Sequence, residues 1–443
     1  MSILLTSILV GISIIAIIYL TSSLKLKAFI ALFLVSLFLA FTTLPSGVIV
    51  STIKEGFGNT MASIGLLIIL GTIIGVTLDK TGATLSIARY ILSKTGEGRS
   101  AQALGITGFI TGVPIFCDSG FIILSGLAKS LSSKSKLAMP FMATVLASSL
   151  YSLHCLIPPH PGALAAAGMF DVNIGYLIII GVLFAVPGAL SAYFWSKWMT
   201  KGKNYAPANE VEIDRQITHE KLPSSFLSFL PIVVPLLLIT IKSLLVLIDK
   251  GGESFFSRIF FFPGEPIFAL AIGALLSLLL IKDKAISSLN FIFTEAIEKA
   301  GPILIVTAAG GMFGMVIKAT GTGEILGKFL TGTNLGLVVP FLIATIMKTA
   351  QGSSTVAIIT SASFVAPMLS MLGLDTEWGR LMAMLSMGAG SMLVSHANDS
   401  YFWVVSKFSD IEPGVNLRVY SSSTIVMGTV VFACVWLTSL IIL

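Results

Sequence analysis

Residues Pro158-Pro159-His160-Pro161-Gly162 interrupt an apolar stretch that begins near Leu137 and resumes at Ala163. Three prolines in four positions cannot continue a helix, because each lacks the N–H donor and crowds the preceding turn. Pro161 suits the first turn of a new helix, Gly162–Phe170. His160 then stands at the positive end of that helix, where the dipole disfavours imidazolium and favours a bound anion. The competing reading is a plain kink with His160 facing a carbonyl. Irregular backbone at membrane depth is tolerated only where protein or a water-filled cavity covers it. A break in a chain this apolar therefore marks an interior site.

The surrounding chain is that apolar. Of 443 residues, 55% are hydrophobic and 11% charged, less than half the charged share of about 25% usual in soluble domains. The mean hydropathy is +0.97. A soluble enzyme, a disordered chain and a disulfide scaffold are excluded. Cys117, Cys155 and Cys434 all lie in apolar stretches and imply no disulfide framework. The net charge of +6 is read as loop orientation in a lipid bilayer, not as a nucleic-acid signal. No H-E-x-x-H, C-x-x-C, Walker loop or G-x-G-x-x-G is present, so neither a metal, a cofactor nor ATP-driven pumping is called for.

Apolar runs place spans near 3–20, 28–44, 61–78, 137–156, 174–196, 226–247, 266–281, 301–317, 379–395 and 421–443. The first is read as a retained span, since no basic residue precedes it. Two more segments, 101–128 and 335–370, are broken by small polar residues and read as re-entrant hairpins. With an outer N-terminus, 19 of the 27 Lys and Arg residues then fall in inner loops, a positive-inside signal. The expected fold is an all-α polytopic membrane protein of about 10 transmembrane helices plus two hairpins, with both termini periplasmic.

The halves look like repeats. Leu78–Thr84 and Ile317–Gly323 are similar, and each is followed by a short amphipathic stretch, a broken segment, and a span ending in His and a polar break. Five crossings per half force the second copy to be inverted, the plan of secondary transporters with broken helices at the midplane. The division is 1–196, a cytoplasmic linker 197–225, and 226–443.

The breaks carry the candidate residues. Asp118-Ser119-Gly120 is expected to be the turn of the first hairpin; Asp118 caps a helix or carries function, and an intramembrane carboxylate favours function. Gln351-Gly352-Ser353-Ser354-Thr355 is its counterpart, where glycine admits close approach of a ligand. Lys348, one turn earlier, adds a positive charge or snorkels to the interface. His396-Ala397-Asn398-Asp399-Ser400 precedes an aromatic helix, and Asp399 is a good N-cap by type. His154, His160 and His396 all adjoin breaks, and histidine is the natural proton carrier near neutrality. His154 is equally a satisfied buried histidine. Gly71/Gly75 and Gly108/Gly112 suit close helix packing.

Phe116–Gly120, Pro158–Gly162, Lys348–Thr355 (Lys-Thr-Ala-Gln-Gly-Ser-Ser-Thr) and His396–Ser400 together resemble the gluconate permease (GntP) family. The resemblance covers residues 20–440. It implies a bacterial inner-membrane proton symporter for gluconate or a related sugar acid; family members also carry other hexonates and D-serine. On that reading Ser119, Gly120, His160, Gly162, Lys348, Gln351, Gly352, Ser353, Ser354, Thr355 and Asn398 contact the sugar-acid anion. Asp118, His154, His160, His396 and Asp399 handle H+. Helix N-termini attract the anion while ionised Asp118 and Asp399 repel it, and a proton removes the conflict. The rivals are a sodium-coupled carrier of a carboxylate or D-serine, an intramembrane hydrolase using Ser119, and a passive channel. Many such carriers dimerise through a scaffold, so the resemblance is compatible with a homodimer.

Overall fold

The computed structural model describes residues 3–95, 99–208, 222–248, 255–282, 285–321, 336–396 and 399–443. Those residues form helices joined by short turns. In the first half these are α1 (Ile3–Ser22), α2 (Ala28–Thr43), α3 (Ser46–Lys80), α4 (Ala83–Thr95), α5 (Ser100–Thr111), α6 (Cys117–Ser135), α7 (Met139–Leu156), α8 (Pro161–Phe170) and α9 (Ile174–Thr200). The second half holds α10 (Ser225–Ile248), α11 (Phe255–Phe261), α12 (Pro266–Leu278), α13 (Ile286–Ala319), α14 (Val338–Gln351), α15 (Ser354–Val365), α16 (Glu377–Met392), α17 (Ser400–Phe408), α18 (Pro413–Asn416) and α19 (Ser422–Ile442). The protein is thus an all-α polytopic membrane protein.

Six described helical stretches are long and apolar enough to cross a membrane: Ser46–Lys80, Met139–Phe170, Ile174–Thr200, Ser225–Val246, Ile286–Ala319 and Pro413–Ile442. The four other expected spans coincide with α1, α2, α12 and α16, and the last three have only 16, 13 and 16 residues. At 1.5 Å per residue that is about 20–24 Å, short of a hydrocarbon core of about 30 Å. In the other direction, the expected spans 61–78 and 301–317 lie inside helices of 35 and 34 residues, each about 50 Å long and hence tilted or projecting.

Those two long helices make the most extensive helix–helix contact among the described residues. Glycine explains how. A Cβ on Gly56 would stand 2.8 Å from the Gly311 carbonyl oxygen, and one on Gly311 would strike Thr60 Oγ1. The backbones meet where no side chain intervenes, as small-residue seams in membranes allow. Gly71 and Gly75 extend the same face of α3 to Pro159 and to the Pro114 carbonyl, with a Cβ at either reaching 2.8 Å. The close approach expected of this pair is thus to two chain interruptions and not to a second helix.

Both broken segments double back: α5 lies against α6 and α14 against α15. The second breaks where expected, with Gly352 at φ +80° closing α14 and Ser353 opening α15. The first does not. Its turn is Gly112–Phe116, and Asp118-Ser119-Gly120 lies in the first turn of α6. The reason is Pro114, which follows the helix-closing Gly112 and has no N–H to continue the ladder. The expected linker also begins later, because α9 runs on to Thr200. The amphipathic stretch expected after Gly323 lies outside the described residues.

The largest core cluster joins α6, α7, α9, α16 and α19, a second joins α3, α8, α10 and α12, and a third joins α1, α2, α3 and α13. The breaks are gathered where these clusters meet.

Candidate functional site

Four chain interruptions converge: the Gly112–Phe116 turn, the Ile157–His160 break between α7 and α8, the Gly352–Ser353 turn, and the Leu393–Asp399 break before α17. Gly162 is one point of closure, since a Cβ there would lie 3.2 Å from Thr355 Cα. Gly120 has a similar role against Leu150, packing α6 on α7.

A histidine chain links three of the interruptions. His154, in the last turn of α7, has Nε2 3.1 Å from Thr355 Oγ1 and Nδ1 3.2 Å from His160 Nδ1. His160, at the N-terminus of α8, has Nε2 2.7 Å from the Gly112 carbonyl. A carbonyl only accepts, so His160 Nε2 carries hydrogen. With both rings neutral, His160 Nδ1 accepts from His154 Nδ1–H, and His154 Nε2 accepts from the Thr355 hydroxyl. The tautomers follow from the network. His154 is 5% and His160 2% exposed.

An ion pair links the Gly352–Ser353 turn to the fourth, the break before α17. Lys348 Nζ donates to Asp399 Oδ2 at 2.6 Å and to the Gly352 carbonyl at 2.6 Å, with side-chain exposures of 0% and 4% across the pair. Asp399 Oδ2 also accepts from Ser395 Oγ at 2.5 Å, while Oδ1 accepts from Tyr401 N–H at 3.0 Å. The carboxylate is therefore both the cap of α17 and the counter-ion of Lys348. Lys348 reaches inward rather than snorkelling, because a lysine at the closing turn of α14 meets the carbonyl its own helix leaves unpaired.

Tyr151 bridges the two groups. Its ring lies 5.6 Å from Lys348 Nζ and stacks on His154 at 6.3 Å between centroids. Its hydroxyl donates to the Ser391 carbonyl, and the Tyr401 hydroxyl donates to the Ala147 carbonyl, so α7 is tied to α16 and α17. Asp118 lies within electrostatic reach of Asp399 and Lys348. Its Oδ1, and both polar atoms of Gln351, are buried with no hydrogen-bond partner among the described residues.

The remaining expected residues separate. Ser353 caps α15, accepting from Val356 N–H at 3.4 Å. Ser354 is buried beside Tyr151 and Cys155. Ser119 is half-buried, and His154 is committed to Thr355 and His160, so no serine–histidine pair forms. His396 is half-buried and its carbonyl accepts from Asp399 N–H at 2.8 Å; its ring joins no hydrogen bond among the described residues. Asn398 lies outside the described residues.

Sequence reading missed Tyr151, Ser395 and Tyr401. Periodicity held a usable signal for one of them: Tyr151 is one turn before His154 on the same helix.

Re-entrant pairs, broken helices and a buried charged cluster at their junction define a membrane carrier. Comparison with solved structures agrees at the level of fold: the antimetabolite efflux pump MtrF of Neisseria gonorrhoeae superposes with a TM-score of 0.63 at 13% identity, covering 89% of this chain and 86% of that one. The family model of the GntP family permeases matches residues 3–441, and the chain belongs to that family. An uncharacterised permease of Haemophilus influenzae is 34% identical over 82% of this chain and 77% of its own. A gluconate permease of Pseudomonas aeruginosa is 27% identical over 97% of both. The protein is a multi-pass inner-membrane permease and not an enzyme, which removes the hydrolase reading of Ser119.

Proposed function

We propose that the protein is a secondary transporter that carries gluconate or a related sugar acid in symport with H+. The observation that carries this is the Lys348–Asp399 pair, enclosed at the joint between the α14–α15 turn and the α17 break. A lone carboxylic anion entering this site meets one cation already neutralised by Asp399. A proton on Asp399 releases the ammonium, and the substrate carboxylate takes over as its partner. Proton and anion then stabilise each other's binding, the reciprocity that coupling requires. Asp118 and Gln351, whose buried polar atoms have no partner among the described residues, supply contacts for substrate hydroxyls. The Thr355–His154–His160 chain, anchored on the Gly112 carbonyl, puts two imidazoles in contact where a proton can be held and passed between their ring nitrogens.

Sodium coupling is less well supported. The Gly352 carbonyl and Asp399 carboxylate form the kind of oxygen pair a small cation seeks, and the Lys348 ammonium fills it. The family resemblance to a gluconate permease favours a sugar acid over D-serine.

This reading includes two inverted repeats. The order long helix, doubled-back pair, helix–break–helix and closing span recurs as α3, α5–α6, α7–α8, α9 and α13, α14–α15, α16–α17, α19. It places both termini in the periplasm, the linker that follows Thr200 in the cytoplasm, and a homodimer contact on the scaffold. Purified protein in liposomes tests the function: labelled gluconate accumulates under an inward proton gradient and not under a sodium gradient alone. Accumulation indifferent to the proton gradient overturns the coupling.

A further inference from the structure

A polar cavity lies away from the charged junction. It has a volume of about 380 Å³ and sits between α3, the C-terminal ends of α8 and α15, and α13. Its walls hold Asn59, Thr60, Ser63, Lys318, Ser363 and Ser370. None of these is an expected site residue.

The cavity is built by glycine. A Cβ on Gly310 would stand 2.5 Å from Ser363 Oγ, and one on Gly314 would stand 3.2 Å from the Ser363 carbonyl. The bare face of α13 therefore lets hydroxyls from α3 and α15 come together over one floor. Those hydroxyls share one orientation of their chemistry. Thr60 donates to the Gly56 carbonyl at 2.9 Å, Ser63 to the Asn59 carbonyl at 2.8 Å and Ser363 to the Ile359 carbonyl at 3.0 Å. With each O–H spent on its own helix, the oxygens of Thr60 and Ser63 are left to the cavity as acceptors, while Ser363 is enclosed behind its wall. Lys318 is exposed and pairs with no carboxylate among the described residues. A wall of acceptors beside one cation matches a chain of hydroxyl donors ending in a carboxylate.

We propose that this cavity is a separate recognition site for a polyhydroxy acid, occupied on the way to the charged junction. Lys318 takes the carboxylate and Thr60 and Ser63 accept from the hydroxyls. The inference rests on the sugar-acid reading above. In the orientation proposed there, the cavity opens to the periplasm, so it acts on entry and not on exit. A site of two stations also explains selection: the first sorts by hydroxyl pattern and charge, and the second requires the proton.

The test is sided transport. Labelled gluconate uptake is measured in right-side-out and inside-out vesicles for the parent, Lys318→Gln, Lys318→Arg and Ser63→Val. Loss of one charged contact is expected to raise the external KM of Lys318→Gln about ten-fold. Lys318→Arg should recover most of that, and Ser63→Val should raise the same KM. The KM from the opposite face and the maximal rate should stay within two-fold of the parent. Equal external KM values in all four proteins overturn the second site while leaving the function reading intact. Equal rises in KM from both faces also overturn it, since the residues then act on the central site or the fold. A parent that takes up no gluconate overturns the function reading, and this inference with it.

Discussion

Asp399→Asn isolates the ion pair from the helix cap. The amide oxygen of asparagine still accepts from Tyr401 N–H, so α17 keeps its start. The amide nitrogen replaces Oδ2, however, and a donor then faces the donors Lys348 Nζ and Ser395 Oγ. Lys348, with a side chain 0% exposed, is left with the Gly352 carbonyl and the face of Tyr151. Removing one partner of a buried pair costs about 3–5 kcal/mol, because the other charge stays desolvated. At about 2.1 cal/mol/K per residue of unfolding entropy, 443 residues shift by roughly 1 °C per kcal/mol. The midpoint of thermal unfolding in detergent should therefore fall about 3–5 °C. Accumulation of gluconate should be lost, because the group that exchanges a proton for the anion is gone. Adding Lys348→Met removes the stranded ammonium, and the double variant should recover at least half of the lost stability without recovering transport. A single variant that melts within 1 °C of the parent, or that still concentrates gluconate under a proton gradient, refutes the reasoning.

The histidine chain predicts that His160→Ala abolishes accumulation while the protein still inserts, as judged by yield and elution from a sizing column; normal uptake removes His160 from the site. Asp118→Asn should do the same, and retained uptake would leave its unpartnered oxygen without a role. Gly75→Val should destabilise the fold by about 1–3 kcal/mol, since even its Cβ would stand 2.8 Å from the Pro114 carbonyl; an unchanged melting midpoint would contradict the close α3 seam. Tyr401→Phe removes a buried hydrogen bond to Ala147 worth about 1 kcal/mol and should keep transport, with the loss read by the same melt.

Much of this molecule is local in origin. Hydrophobic runs, the Pro158–Gly162 interruption and the Gly352 turn act within a few residues of chain, through proline's missing donor and glycine's free φ, so they are readable along the sequence. Gly112 and Pro114 carry the same kind of local information about the first turn, whereas the Asp118 carboxylate lies two residues past its end. The site's partnerships are of another kind. Lys348 meets Asp399 across 51 positions, His160 meets Gly112 across 48, and His154 meets Thr355 across 201. No periodicity encodes such distances. They are set by which helix faces pack, by glycine seams such as Gly56 against Gly311, and by the need of each enclosed polar atom to find a partner away from water. Residue types told of a polar chamber within the bilayer, whereas the choice of partner for each side chain belongs to packing between distant segments.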